Sequence, residues 1–178
     1  MKHSSRSFLI TITVLSMLFC SCTSPGNTIP EFDTANEKKQ ITSMLDSFNR
    51  AAAKADYKTY FDFYTEDAIF TGTDATERWE KPAFMAWAKP IFDKGRAWDF
   101  NAIDRHIYFD KTGNLAWFDE LLNTQMKICR GSGVLVKQGG AWKVQQYILS
   151  TTVPNDQLDS VIKMKSHMED SIINTFGK

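Results

Sequence analysis

The longest β-forming part of the chain, residues 115–153, reads LAWFDELLNTQMKICRGSGVLVKQGGAWKVQQYILSTTV. Three segments of it are rich in apolar and aromatic residues: Leu115 to Asn123, Ile128 to Gln138 and Ala141 to Val153. Segments of this length and composition predict β-strands. Gly139-Gly140 lies between the last two segments and predicts a tight hairpin turn. This region therefore indicates an antiparallel sheet.

A further strand precedes this region, over residues 98–109. Its apolar positions change parity, from the even-numbered Trp98 and Phe100 to the odd-numbered Ile107 and Phe109. One extra residue in a strand restores a continuous face and bends the strand. The sequence therefore predicts a β-bulge near Asp104 and a curved sheet.

Four other segments carry apolar residues at helical spacing. Asp56 is suited to cap the second of these helices, and Pro82 is suited to the first turn of the third. Helices that precede a late sheet, with one helix after it, indicate the α+β class with helices packed on one sheet face. The four stripes are Ile41, Met44, Leu45 and Phe48; Tyr57, Tyr60, Phe61 and Tyr64; Phe84, Trp87 and Ile91; Leu158, Val161, Ile162 and Met168.

Composition narrows the function classes. The 178 residues are enough for one domain, and the formal net charge is zero. Because no basic stripe is present to neutralise phosphates, we expect no nucleic-acid partner. The three histidines are widely separated in sequence, and no phosphate-binding loop occurs. We therefore expect neither a metal nor a cofactor.

The N-terminus has the layout of a secretory signal, with basic residues followed by an apolar run over residues 8–19. Residues 19–22, FCSC, resemble the lipobox of bacterial lipoproteins, in which a small residue precedes the lipidated cysteine. The resemblance implies lipidation at Cys22, a membrane partner through that lipid anchor, and a location at the surface of the cell envelope. Ordinary cleavage by signal peptidase is the alternative. We expect a signal peptide over 1–21, a tether over 22–34 and one domain over 35–178.

Several segments together resemble SnoaL-like domains of the nuclear transport factor 2-like superfamily. They are Phe63 to Phe70 (FYTEDAIF), Arg105 to Phe109, Gly113 to Leu121, Cys129 to Val136 and Ala141 to Val144. The resemblance covers residues 36–165. It implies a cone-shaped fold, in which a curved antiparallel sheet wraps around N-terminal helices and leaves an apolar pocket. The superfamily includes isomerases, cyclases and dehydratases as well as non-catalytic domains, so the fold alone does not give the chemistry.

Asp119 and Glu120 are the candidate catalytic acids, because they lie within an otherwise apolar strand. Adjacent strand residues face opposite sides, so only one of them points inward. A carboxylate inside would have a raised pKa, as a general base requires. The alternative is a structural ion pair with Arg130 or Arg105 on a neighbouring strand.

The candidate ligand-binding residues are Trp87, Trp98, Gln146, Tyr147, His106 and Arg130. Of the adjacent Gln146 and Tyr147, one faces inward. A two-residue hairpin turn places Gln146 on the face of Trp142 and Val144, which we expect to cover the helices.

These residues favour a binding domain for a small, largely apolar molecule. An acid-base enzyme acting on a carbonyl compound, with Asp119 or Glu120 as base, is one alternative. A non-catalytic module that docks another protein is another. Since both faces of the late strands carry apolar residues, we also expect a homodimer through the outer sheet face.

Overall fold

Residues 32–176, the part of the chain that the computed structural model describes, form helices on a six-stranded sheet. This arrangement confirms the α+β class. The helices are α1 (Thr34–Ala53), α2 (Tyr57–Asp62), α3 (Lys81–Phe92) and α4 (Leu158–Phe176), with a 3₁₀ turn at Asn155–Gln157 before α4. The strands are β1 (Tyr64–Thr71), β2 (Arg78–Glu80), β3 (Asn101–Phe109), β4 (Leu115–Thr124), β5 (Lys127–Gln138) and β6 (Ala141–Thr151).

The strands are ordered β2-β1-β6-β5-β4-β3 across the sheet. The expected antiparallel pairing occurs at every junction except one, where β1 runs parallel to β6 and Phe70 lies beside Tyr147. Parallel neighbours need a long crossover between them. Here the crossover contains α3 and the whole β3–β5 meander, so the first long strand meets the last one in the centre of the sheet.

The region before α3 differs from its sequence prediction. The aromatic spacing predicts a helix as far as Tyr64, but α2 ends at Asp62 and β1 begins at Tyr64. The Phe63 carbonyl accepts a hydrogen bond from the Val144 backbone N–H at 2.8 Å, so sheet pairing replaces the last helical turn. The short edge strand β2 follows and pairs antiparallel with β1.

Two bulges set which side chains face the helices. The bulge predicted near Asp104 is present, since the β3–β4 register shifts between Ala102 and Asp104. A second register shift occurs in the β5–β6 pairing. Val134 pairs with Gln146 and Leu135 pairs with Val144, so β6 has one extra residue between these two pairs. This second bulge was not predicted. It turns Tyr147 inward and leaves Gln146 on the outer face, the reverse of the expectation from strict alternation.

Aromatic rings fill the space between the sheet and the helices. Phe48 of α1 stacks on Tyr60 with ring centroids 4.5 Å apart, and Phe84 of α3 stacks on Phe70 at 4.1 Å. Tyr147 lies between these groups, 5.7 Å from Phe48 and 6.0 Å from Phe70. The expected hollow between sheet and helices is therefore occupied by side chains of the domain itself.

The N-terminal edge of the domain begins slightly before the expected boundary at residue 35. Asp33 caps α1 by accepting a hydrogen bond from the Asn36 N–H at 3.0 Å, and the Phe32 ring packs edge-on against Phe109. Cys22, the proposed signal peptide and most of the proposed tether lie outside the described residues. Between residues 32 and 176, no helix is both long enough and apolar enough to cross a membrane.

Candidate functional site

Glu120 is the acid that faces inward, and its carboxylate is fully engaged. Its side chain is 1% exposed. Arg105, its neighbour on β3, donates from Nε to Oε2 at 2.7 Å, and the Tyr147 hydroxyl donates to Oε1 at 3.2 Å. The ion pair with Arg105, the alternative that the sequence left open, is therefore the arrangement found.

Arg105 extends this network to α1. Its guanidinium donates to the Asp46 carboxylate at 2.8 Å and to the Thr42 carbonyl at 3.3 Å. Beyond the bulge at Ala102, the odd-numbered residues of β3 face inward, which is why Arg105 reaches both the sheet interior and the helix. The network thus ties β3, β4 and β6 to the first helix.

Gly131 on β5 makes room for these groups. It pairs with both Glu120 and Leu149 across the sheet. A β-carbon at this position would lie 2.6 Å from the Tyr147 hydroxyl oxygen and 3.0 Å from the Glu120 side chain. Glycine is therefore required here for close approach.

Burial governs the electrostatics of Glu120. Desolvation raises the pKa of this carboxyl above its ordinary value, while the Arg105 charge and the hydrogen bonds from Arg105 and Tyr147 act to lower it. A raised pKa suits a general base, but a base must also reach the proton that it removes. Because both Glu120 oxygens already have partners, the geometry favours a structural role.

Asp119 and His106 lie on the outer face of the sheet, opposite each other on β4 and β3. Their side chains are about half exposed, and the His106 Nδ1 lies 3.5 Å from Asp119 Oδ1. The expectation that His106 reaches the interior is wrong, because the even-numbered residues of β3 beyond the bulge point outward. Arg130 and Gln146 also lie on the outer face and do not line an interior pocket.

Trp87 and Trp98, by contrast, line one cleft. It has a volume of about 170 Å³ and lies at the end of the sheet, beside the turn between β4 and β5. Trp87 of α3 is 41% exposed, and Trp98, on the loop before β3, is half-buried. The remaining lining residues are Phe70, Gly72, Thr73, Glu77, Phe100, Gln125, Met126 and Leu149.

The cleft residues come from separate parts of the chain. Sequence reasoning gave Trp87 and Trp98 but missed Phe70, Met126 and Leu149. Phe70 and Leu149 read as ordinary strand residues, and Met126 lies in a turn. The parallel pairing of β1 with β6 brings Phe70 and Leu149 together. No local sequence signal marks that pairing.

A comparison with protein-family models matches residues 41–154 to the SnoaL-like domain. The chain belongs to the SnoaL-like domain family. The α+β fold of this SnoaL-like domain, with its curved six-stranded mixed sheet and C-terminal helix, accords with that assignment. None of the curated proteins matches the chain in sequence.

Solved structures similar to this SnoaL-like domain share its fold at low sequence identity. A nuclear transport factor 2-like protein of unknown function from Pseudomonas putida is 15% identical, with a TM-score of 0.59, covering 70% of this chain and 92% of its own. A proposed dehydratase from Streptomyces avermitilis is 13% identical, with a TM-score of 0.57, and the match covers 67% of this chain and 99% of the dehydratase. A proposed aromatic ring hydroxylase from Novosphingobium aromaticivorans is also 13% identical, with a TM-score of 0.57 and coverage of 67% and 92%. These likenesses show the fold.

Proposed function

We propose that this SnoaL-like domain binds a small, largely apolar molecule, with one aromatic ring or a short alkyl chain, in the cleft between Trp87 and Trp98. The observation that carries the proposal is the lining of that cleft. Indole, phenyl and aliphatic side chains make up most of the lining of an open cleft of about 170 Å³, and Thr73, Glu77 and Gln125 make up its polar part. A cavity of about 150 Å³ lined by apolar residues accommodates benzene, so the space suits a single ring.

The exposed face of Trp87 supports the same conclusion. One side of its indole stacks on Trp79, with ring centroids 4.8 Å apart, so the ring is held in place without being covered. A large aromatic side chain that is fixed and half exposed offers binding surface at little entropic cost. A flat ligand that covers Trp87 would remove apolar surface from water.

Binding is favoured over acid-base catalysis because the inward acid does not line the cleft and its oxygens already have partners. Glu120 does not line the cleft, and Arg105 and Tyr147 occupy its oxygens. Asp119, the other candidate base, is half exposed on the outer face. An enzyme built on Glu120 would first have to break a buried ion pair, which costs several kcal/mol.

The binding proposal is tested by ¹⁹F NMR with fluorobenzene as the probe. We expect Trp87→Ala to weaken binding about tenfold, since losing one aromatic contact costs on the order of 1.4 kcal/mol. Trp117→Ala is the matched control, because Trp117 is 43% exposed on the outer sheet face. Equal affinity in both variants, with unchanged melting temperatures, would contradict the proposal.

We also propose that Cys22 is lipidated and holds the domain at an outward-facing membrane surface. The apolar run over 8–19 and the small Ser21 before Cys22 support this proposal. Cys20 provides a matched control two residues away. Cys22→Ser should abolish labelling by a clickable fatty acid and release the protein from the membrane fraction, whereas Cys20→Ser should not. Labelling that survives Cys22→Ser would refute the anchor.

A further inference from the structure

The last helix, α4, exposes an apolar stripe along its whole length. None of its 19 residues is buried, and Met164 and Phe176 are 80% and 76% exposed. At about 100° per residue, the apolar side chains fall on one half of the helix. Most helical stability in proteins comes from packing such a face, so α4 needs a partner surface. The stripe consists of Leu158, Val161, Ile162, Met164, Met168, Ile172, Ile173 and Phe176.

An ion pair interrupts the middle of this stripe. Lys165 Nζ lies 3.0 Å from Glu169 Oε1, and both side chains are about half exposed. Around the helix axis, Lys165 and Glu169 fall in the middle of the half that carries the apolar residues. A charged pair at the centre of an apolar seam costs stability, but it can fix the register and orientation of a helix pair.

Six of the eight apolar residues of the α4 stripe form a self-complementary set. The midpoint of the helix is His167, and reversing the sequence about this point places Leu158 opposite Phe176. The same reversal places Val161 opposite Ile173, Ile162 opposite Ile172 and Lys165 opposite Glu169. The two methionines, Met164 and Met168, fall opposite Asp170 and Ser166 instead. A two-fold symmetric contact requires this pattern, in which residue i meets residue j and residue j meets residue i.

We infer that α4 pairs antiparallel with α4 of a second copy of this chain. Lys165 of each copy then lies beside Glu169 of the other, so that the four charges alternate in sign at the two-fold axis. The apolar residues on both sides of these charges pack between the two helices and are buried from water. The proposed interface lies on α4, which is a different surface from the outer sheet face expected from the sequence.

A membrane surface suits α4 less well. Amphipathic helices that lie on membranes carry polar faces rich in lysine and arginine. The charged residues of α4 are three acids, Asp159, Glu169 and Asp170, against two bases, Lys163 and Lys165. A helix with a small excess of acids gains nothing from anionic lipid, whereas it complements a copy of itself.

Charge reversal gives a direct test. Two differently tagged full-length copies are co-expressed in a bacterial host, and the recovery of the second tag with the first is measured. We expect K165E to lose recovery of K165E, and E169K of E169K, by about tenfold or more, because four like charges meet at the axis. K165E paired with E169K places an acid beside a lysine at both contacts across the axis, so recovery should return towards that of the native pair.

The control is K163E, which makes the same charge change on the polar side of α4 and should leave recovery unchanged. Circular dichroism of each variant establishes that the domain is folded. Recovery of K165E with itself at the native level would overturn the proposal and point to another surface, such as the outer sheet face. Cys22→Ser copies, which lack the proposed lipid anchor, serve for the vesicle test. If these copies do not recover each other but bind phosphatidylglycerol vesicles, the proposal is overturned in favour of a membrane surface.

Discussion

Arg105→Ala would leave Glu120 without its cation, in a place where the glutamate side chain is 1% exposed. A carboxylate so placed either stays ionised at a cost of several kcal/mol or takes up a proton. Protonation at pH 7 costs about 1.36 kcal/mol for each pH unit above the ordinary glutamate pKa of about 4.3, or about 3.7 kcal/mol. We therefore expect the free energy of unfolding to fall by about 3 to 4 kcal/mol at pH 7.

This loss should depend on pH. In the variant, burial raises the folded-state pKa of Glu120 without opposition from Arg105, while the unfolded-state pKa stays ordinary. Such a group contributes stability below its unfolded-state pKa and loses that contribution as the pH rises through its folded-state pKa. Because protonation costs only about 1 kcal/mol at pH 5, the difference from the native protein should narrow by about 2.7 kcal/mol between pH 7 and pH 5.

Urea unfolding of both proteins at pH 5 and pH 7 measures these differences. Arg130→Ala is the control, because Arg130 is exposed on the outer face and its removal should change stability by no more than about 0.5 kcal/mol. A loss below about 1 kcal/mol for Arg105→Ala at pH 7, or a loss equal at both pH values, would refute the reasoning.

Two further substitutions test the packing around α1 and β5. Glu37→Gln should cost about 1.5 to 3 kcal/mol above pH 5, since the Glu37 carboxylate accepts hydrogen bonds from Lys137 Nζ and Trp142 Nε1, each at 2.6 Å. The hydrogen bond from Lys137 lowers the pKa of Glu37 in the folded state. The stability that Glu37 contributes is therefore present above its unfolded-state pKa and disappears as the pH falls through its folded-state pKa. Urea unfolding of both proteins from pH 3 to 7 measures this change. Gly131→Ala should cost about 1 to 3 kcal/mol in urea unfolding, because the added methyl group meets the Tyr147 hydroxyl.

The outcomes that would contradict these two expectations are specific. For Glu37→Gln, a difference from the native protein that stays constant from pH 3 to 7 would show that the carboxylate charge contributes nothing. For Gly131→Ala, the control is Ser132→Ala on the adjacent, outward-facing position. Equal stability of these two alanine variants would show that Gly131 is not tightly packed.

The fold was predictable because its signals are local. The alternation and turn residues of β3–β6, the Asp56 cap of α2, the proline in the first turn of α3, and the parity change at Asp104 are all visible in sequence. The parallel pairing of β1 with β6 was not predictable in the same way, since it joins segments more than 70 residues apart. The bulge opposite Val134 was also missed, because β6 itself has no glycine there and shows no clear change of parity. Gly133, at which an added β-carbon would lie 2.3 Å from the Gln146 carbonyl oxygen, marks the bulge only from the neighbouring strand.

The site was less predictable than the fold. Both faces of β4 carry large apolar side chains, such as Trp117 outside and Phe118 inside, so alternation could not decide between Asp119 and Glu120. Because the bulge in β6 was missed, the prediction of which residue faces inward, Gln146 or Tyr147, was the reverse of what the structure shows. The stripe on α4 was visible in sequence, but its lack of cover within the domain required the structure.

Titration of the ¹⁵N-labelled protein with fluorobenzene tests the central claim most directly, because each tryptophan gives one indole N–H signal. The account predicts that the signals of Trp87 and Trp98 move together along one saturable curve, while those of Trp117 and Trp142 stay in place. Movement of the Trp117 signal alone, or linear drift of all the signals without saturation, would contradict a ligand site in the cleft.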